Sequence, residues 1–150
     1  MRTAPLALIL GAVACLVALV ASRRRGRWRG VLASPDIPSS IDREAFARAG
    51  IGSPGTPWLV AVLTDSACRT CGSALERLAP LAGPDVEVAE VEAGPHGRLH
   101  DSYGVDAVPF TLVADGDGAV QAWILGPPTA GDIAAVRRVL AADGFRPAPE

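Results

Sequence analysis

The feature that most limits what this chain can fold into is an apolar run that ends on two cysteines. Trp58-Leu59-Val60-Ala61-Val62-Leu63-Thr64 is followed by Asp65-Ser66-Ala67 and then Cys68-Arg69-Thr70-Cys71. A near-continuous apolar run of strand length predicts a buried strand. From Gly72 to Leu78 the apolar positions return at helical spacing. A strand, a short turn and a helix together put Cys68 at the N-terminal end of that helix, where unpaired N–H groups and the helix dipole favour negative charge. The thiolate is the reactive form of cysteine, so Cys68 is expected to be a nucleophile. Arg69 is expected to stabilise its thiolate, and Cys71, one turn on, is placed to close a disulfide with it.

Two other uses of the pair compete with this one. Structural zinc sites need four ligands, and beyond Cys68 and Cys71 the chain offers only Cys15, His96 and His100 as Cys or His partners. A Cys2His2 site is the zinc alternative, and two inert buried thiols are the other. A redox dithiol is the preferred reading, with no metal and no organic cofactor. His96 and His100 fall in a short polar segment and are expected at the surface.

Charge is distributed unevenly. Residues 1–30 carry six arginines and no acid, while the remainder carries eight arginines against sixteen acids, a net of −8. Nucleic-acid-binding domains are normally basic, so nucleic acid is an unfavoured partner. Three cysteines, one of them in an apolar run, do not make a disulfide-stapled framework.

That apolar run, Ala4 to Ala21, holds no charge. Eighteen helical residues just span a hydrocarbon core. Arg23, Arg24, Arg25, Arg27 and Arg29 follow it, with Trp28 suited to the interface. A cleaved signal peptide is the alternative, but the charge lies after the run, where a cleavage site needs small residues. An uncleaved anchor through residues 4–21 is therefore expected. It makes a single-pass protein of the plasma membrane, with the positive-inside rule favouring a cytoplasmic domain.

Arg23 to Ser40 reads as a linker. Ser40 to Gly50 reads as a short helix, with Ser40 as N-cap and Gly50 as its stop. Val86 to Val91 is a second strand whose glutamates suit an edge. Gly94-Pro95 is a break, and Leu99 and Tyr103 mark a short helix closed by Gly104. Val108 to Ala114 is a third strand, and Asp115-Gly116-Asp117-Gly118 a hairpin turn leading to a fourth at Val120 to Leu125. The Asp-Gly-Asp-Gly run lacks the later glutamate of a calcium loop. Thr129 to Asp132 starts a last helix in the manner of a capping box, with Ile133, Val136 and Leu140 as its buried stripe.

This order, with Cys68-Arg69-Thr70-Cys71 at the first strand–helix junction, Val108-Pro109 before the third strand and Gly126 ahead of the last helix, resembles the thioredoxin family over Trp58 to Ala142. The membrane-tethered arrangement is similar to the anchored thioredoxin-like proteins of bacteria. The resemblance implies an α/β thioredoxin-like fold, a central mixed sheet flanked by helices, behind one N-terminal transmembrane helix. It implies a cis Val108–Pro109 bond packed against the disulfide and a Val108 backbone that pairs with substrate. It also implies a thiol–disulfide oxidoreductase whose partners are protein disulfides or dithiols. The domains expected are an anchor at 1–22, a basic linker with a short helix at 23–52, the thioredoxin-like domain at 53–143 and a tail at 144–150. The sequence departs from the family in three places. Ala67 stands for the usual tryptophan, Arg69-Thr70 for the usual Gly-Pro, and Val62 for the buried acid six residues before the first cysteine. A non-catalytic binding or assembly module is accordingly the second functional reading. A fully solvated pair with Arg69 inside it favours a more oxidising couple.

Overall fold

The computed structural model describes residues 37–142. The expected anchor over 4–21, the arginine cluster behind it and the tail at 144–150 lie outside the described residues. Among those described, no helix is long and apolar enough to cross a membrane.

The elements run α1 (Arg43–Arg48), β1 (Trp58–Thr64), α2 (Cys71–Leu78), a 3-10 turn (Ala79–Leu81), β2 (Val86–Glu92), α3 (Ala93–Ser102), β3 (Phe110–Asp115), β4 (Val120–Leu125) and α4 (Ala130–Ala141). Their sheet has the order β2-β1-β3-β4. β1 pairs parallel with β2 and antiparallel with β3, and β3 pairs antiparallel with β4. The sheet is mixed because β1 reaches β2 through a helix, whereas β3 and β4 share a tight turn.

All seven residues of β1 are buried. Side chains alternate across a strand, so Leu59, Ala61 and Leu63 enter one core with Phe46, Leu99, Phe110 and Leu112. Trp58, Val60 and Val62 enter the other with Leu78, Val113, Val136 and Leu140. Helices α1 and α3 therefore cover one face, and α2 and α4 the other. β2 is an edge strand, and its Glu90 is exposed as the sequence predicts.

The segment before residue 53, assigned above to the linker, contributes to the first core. Ile41, Phe46 and Ile51 are all buried there, and Phe46 packs on Tyr103 with ring centroids 5.8 Å apart. Arg43 is 8% exposed and donates to the carbonyls of Asp115, Ser53 and Thr56 at 2.9–3.0 Å. Burial pushes its guanidinium below the usual value, opposed by the nearby charges of Glu87 and Asp115. The helix cap differs from expectation: Asp42, not Ser40, is the N-cap, its side chain accepting from Ala45 N–H. Ser40 instead bridges to Ala119. Gly50 is the stop, with φ of 78°.

The break expected at Gly94-Pro95 falls one residue later, as a kink at His96 that divides α3 into two helical pieces. Gly94 and Pro95 themselves lie in the first turn of α3, where the missing proline N–H costs no helical bond. The hairpin turn forms as expected, organised by Asp115 Oδ1, which accepts from the N–H groups of Asp117 and Ala119. Gly118 has φ of 81° and passes so close to the Ile41 carbonyl that a Cβ would collide with it. The capping box of α4 is present in full, Thr129 and Asp132 each bonding the other's backbone N–H.

The burial of Phe46 makes a prediction about the domain's edge. Phe46→Ala lowers stability by about 3–5 kcal/mol, read as a lower urea midpoint of the full chain. An unchanged midpoint would mean that the folded unit begins after α1.

Candidate functional site

β1 ends at Thr64, and the chain turns through Asp65–Thr70 into α2. Asp65 organises that turn: its carboxylate accepts from Ala67 N–H at 2.8 Å, and its carbonyl accepts from Cys68 N–H at 2.9 Å. An Asx turn of this kind is what a short Asp side chain does best. Cys68 and Cys71 are joined in a disulfide with their Cα atoms 5.6 Å apart.

The two sulfurs have different surroundings. Cys71 is the first residue of α2 and is 4% exposed. Cys68 is half-buried, two residues outside the Thr70 N-cap. The pair is thus not fully solvated, which corrects the expectation above; the buried stripe Cys71, Ala74 and Leu78 draws the second sulfur under the helix. Thr70 makes no side-chain cap bond. Its hydroxyl lies 3.8 Å from Cys68 Sγ. The helix's positive end therefore faces the disulfide without a competing side-chain cap. Arg69 is exposed, between the two cysteines in sequence.

The Val108–Pro109 bond is cis. Pro109 is buried and Val108 half-buried. The register explains why this dipeptide and the cysteines share one end of the sheet. Leu63 near the end of β1 pairs with Phe110 at the start of β3, so Pro109 stands beside the point where β1 leaves for the cysteine turn. Gly126 N–H donates to the Pro109 carbonyl at 2.8 Å, bringing the segment after β4 to the same end. Leu125, just before it, is 53% exposed, a large apolar side chain in the open.

The histidines are elsewhere. Both lie on α3, which packs on the face opposite α2. His100 is buried, contrary to the surface position expected, and its Nε2 is 2.7 Å from the Val91 carbonyl. Since a carbonyl can only accept, Nε2 carries the proton. Leu99 and His100 face the sheet together, which buries a residue that composition alone would leave outside. Among the described residues no group of three or more His, Cys, Asp or Glu side chains is arranged to hold a metal ion. In the hairpin, Asp115 is engaged by its own turn and by Gln121.

Two residues of this region escape the sequence analysis. One is Asp65, legible as a turn former but without visible partners. The other is Thr111, a hydroxyl within the otherwise apolar run 110–114, and that break in the run is its only signal.

The sheet order, the flanking helices and the disulfide at the β1–α2 junction define the thioredoxin-like fold. Solved structures agree. The chain is similar to a thioredoxin of Malassezia sympodialis described as a member of a pan-allergen family, with a TM-score of 0.53 and 18% identity over 70% of this chain and 92% of that one. It is similar to a mutant thioredoxin from Halobacterium salinarum, with a TM-score of 0.50 and 21% identity over 77% of this chain and 99% of that one. A designed protein matches with a TM-score of 0.53 and 21% identity over 72% and 99% of the two chains. No family model matches the chain, and no curated protein matches it. What is shared is the fold.

The unequal burial predicts unequal reactivity in the reduced protein. Iodoacetamide should alkylate Cys68 on the order of tenfold faster than Cys71, since access and thiolate character both govern the rate. Peptide mass spectrometry after brief labelling checks it; equal rates would contradict the arrangement.

Proposed function

We propose that this protein is a membrane-anchored thiol–disulfide oxidoreductase that exchanges its Cys68–Cys71 couple with protein substrates. One observation carries the reading: a disulfide between a half-buried and a buried cysteine, at the sheet end that also holds a cis Val108–Pro109 bond. In the reducing direction the Cys68 thiolate attacks a substrate disulfide. One substrate sulfur leaves as thiolate and takes a proton, and a mixed disulfide forms. Cys71, deprotonated, then attacks Cys68 Sγ, expels the second substrate sulfur and closes the Cys68–Cys71 bond. Two electrons pass from protein to substrate. The reverse sequence oxidises a substrate dithiol.

The roles divide accordingly. Cys68 is the nucleophile and Cys71 the resolving thiol. The N-terminus of α2 and the exposed Arg69 stabilise the Cys68 thiolate. Val108 and Pro109 form the docking edge, with the Val108 backbone pairing to the substrate chain. The exchange needs neither metal nor organic cofactor, since both bonds that change are between sulfurs. Residues 4–21 hold the domain at the plasma membrane as a single-pass anchor, and the arginines behind them favour the cytoplasmic side.

A binding or assembly module that keeps the dithiol without turning over is the second reading. It is favoured by Val62, an apolar side chain with no exposure at the position where the resemblance implies an acid. Exchange kinetics separate the two. Cys68→Ser should abolish reduction of a model protein disulfide, while Cys71→Ser should accumulate a mixed disulfide visible on a non-reducing gel. Undiminished turnover in the Cys68→Ser protein sinks the oxidoreductase. A wild-type protein that never exchanges leaves the binding module. The anchor is checked separately: the full chain should stay with membranes through an alkaline wash and be released by detergent.

A further inference from the structure

Thr111 has no exposure, and its hydroxyl is a buried polar atom without a hydrogen-bond partner among the described residues. The comparable buried threonine, Thr64, donates to Glu90 at 2.7 Å. Leaving a buried hydroxyl unpaired is costly, so a threonine in the middle of this sheet, where valine has the same shape, calls for a physical reason.

Its place in the fold suggests one. Thr111 pairs across the sheet with Val62 on β1 and Ile124 on β4. Alternation along β3 puts it on the face of Val113, the face covered by α2 and α4. It lies two residues after Pro109, at the sheet end where β1 runs out into the cysteine turn. On α2, Cys71, Ala74 and Leu78 form the buried stripe. Leu78 belongs to the cluster that holds Trp58, Val60 and Val62. Because β1 ends at Thr64 and α2 begins at Cys71, the first turn of α2 starts from the end of the sheet where Val62 pairs with Thr111. The hydroxyl's position is buried, central and on the Cys71 side of the sheet.

We propose that Thr111 is the hydrogen-bond donor that receives the Cys71 sulfur when the disulfide opens. This rests on the oxidoreductase reading above and deepens it. In the disulfide form the hydroxyl has no partner among the described residues. In the dithiol form the Cys71 sulfur, released from Cys68 and still buried, accepts from the Thr111 O–H. A thiolate is a better acceptor than a disulfide sulfur, because a hydrogen bond to an ionised group is the stronger kind. Thr111 thus favours the reduced state, and most strongly at the moment Cys71 gives up its proton to attack. It acts through Cys71 and is a positioning residue. Burial disfavours a thiolate, so a single buried donor has a large lever here. Val62 has no polar side-chain atom to offer Cys71, and Thr111 is the residue directly across the ladder from it.

The test equilibrates the full chain, in detergent, with glutathione: protein disulfide and two glutathione thiols against protein dithiol and glutathione disulfide. The fraction reduced is read by alkylation and intact mass. Thr111→Val, which keeps shape and removes the hydroxyl, should lower the equilibrium constant for reduction about tenfold, which is about 30 mV in a two-electron couple. Thr111→Ser, which restores a hydroxyl, should stay within about twofold of wild type on the same scale. Should the valine variant fail to fold, Thr111→Ala removes the same group and must show the same displacement. A merely structural role lowers the stability of disulfide and dithiol forms alike and leaves the constant where it was; that outcome overturns the proposal while the oxidoreductase stands. A wild-type chain that does not equilibrate with glutathione overturns both.

Discussion

The rest of the structure depends on a strand that cannot face water on either side. β1 buries all seven of its residues, and burying an apolar side chain of this size is worth roughly 1.5–3 kcal/mol. Such a strand needs a hydrogen-bonded neighbour along each edge and a helical layer over each face. β2 and β3 supply the edges. α1 with α3 and α2 with α4 supply the layers. Once that is satisfied, where the chain leaves β1 is no longer free. It must emerge at one end of the sheet, and after the turn Asp65–Thr70 it begins α2 with a cysteine. Antiparallel pairing then delivers the start of β3, with its cis proline, to that same end. The site is a consequence of how a doubly buried strand is covered.

The layer formed by α1 is held by a different kind of force. Beyond the burial of Ile41, Phe46 and Ile51 in the first core, it has polar ties. A buried arginine ties it to three carbonyls from the loop before β1 and from the end of β3. A guanidinium offers five N–H donors in a rigid fork, so one side chain joins segments that no ladder connects. Gly118 closes the other side: its carbonyl accepts from Ile41 N–H at 2.7 Å, an approach that leaves no space for a Cβ. The N-terminal segment is therefore fastened by polar contacts on backbone atoms as well as by its buried apolar side chains.

Patterns with a short range were legible in the sequence, and partners across the fold were not. The strand lengths, the hairpin at Asp115–Gly118, the Thr129 cap and the junction at Cys68 each follow from residues within a few positions of one another. The N-cap was assigned to Ser40, but Ser40 is drawn into a bridge with Ala119 far along the chain and Asp42 caps the helix instead. Burial of His100 was invisible for a related reason: its acceptor, the Val91 carbonyl, belongs to a neighbouring strand and has no signature in side-chain order. The solvation of the cysteines was misjudged likewise. Helical periodicity places Ala74 and Leu78 on a buried stripe, and Cys71, three residues earlier than Ala74, had to share it.

The polar balance of the site shows how one position can compensate for another. An acid at residue 62 would lie under the helix that carries the Cys71 sulfur, but the chain has valine there, and that core is otherwise lined by apolar side chains. A carboxylate in such surroundings is held by desolvation in its neutral form unless something partners it. A hydroxyl on the adjacent strand has no charge to desolvate, and it offers a donor at every pH. It cannot take a proton from the Cys71 thiol, so the proposed exchange would draw its base from solvent or from the leaving substrate thiolate. A site built this way trades a titrating base for a fixed dipole. On the proposal above, its redox preference follows from the contrast between a buried O–H with no partner among the described residues in the disulfide form and a free Cys71 sulfur to receive once that bond opens.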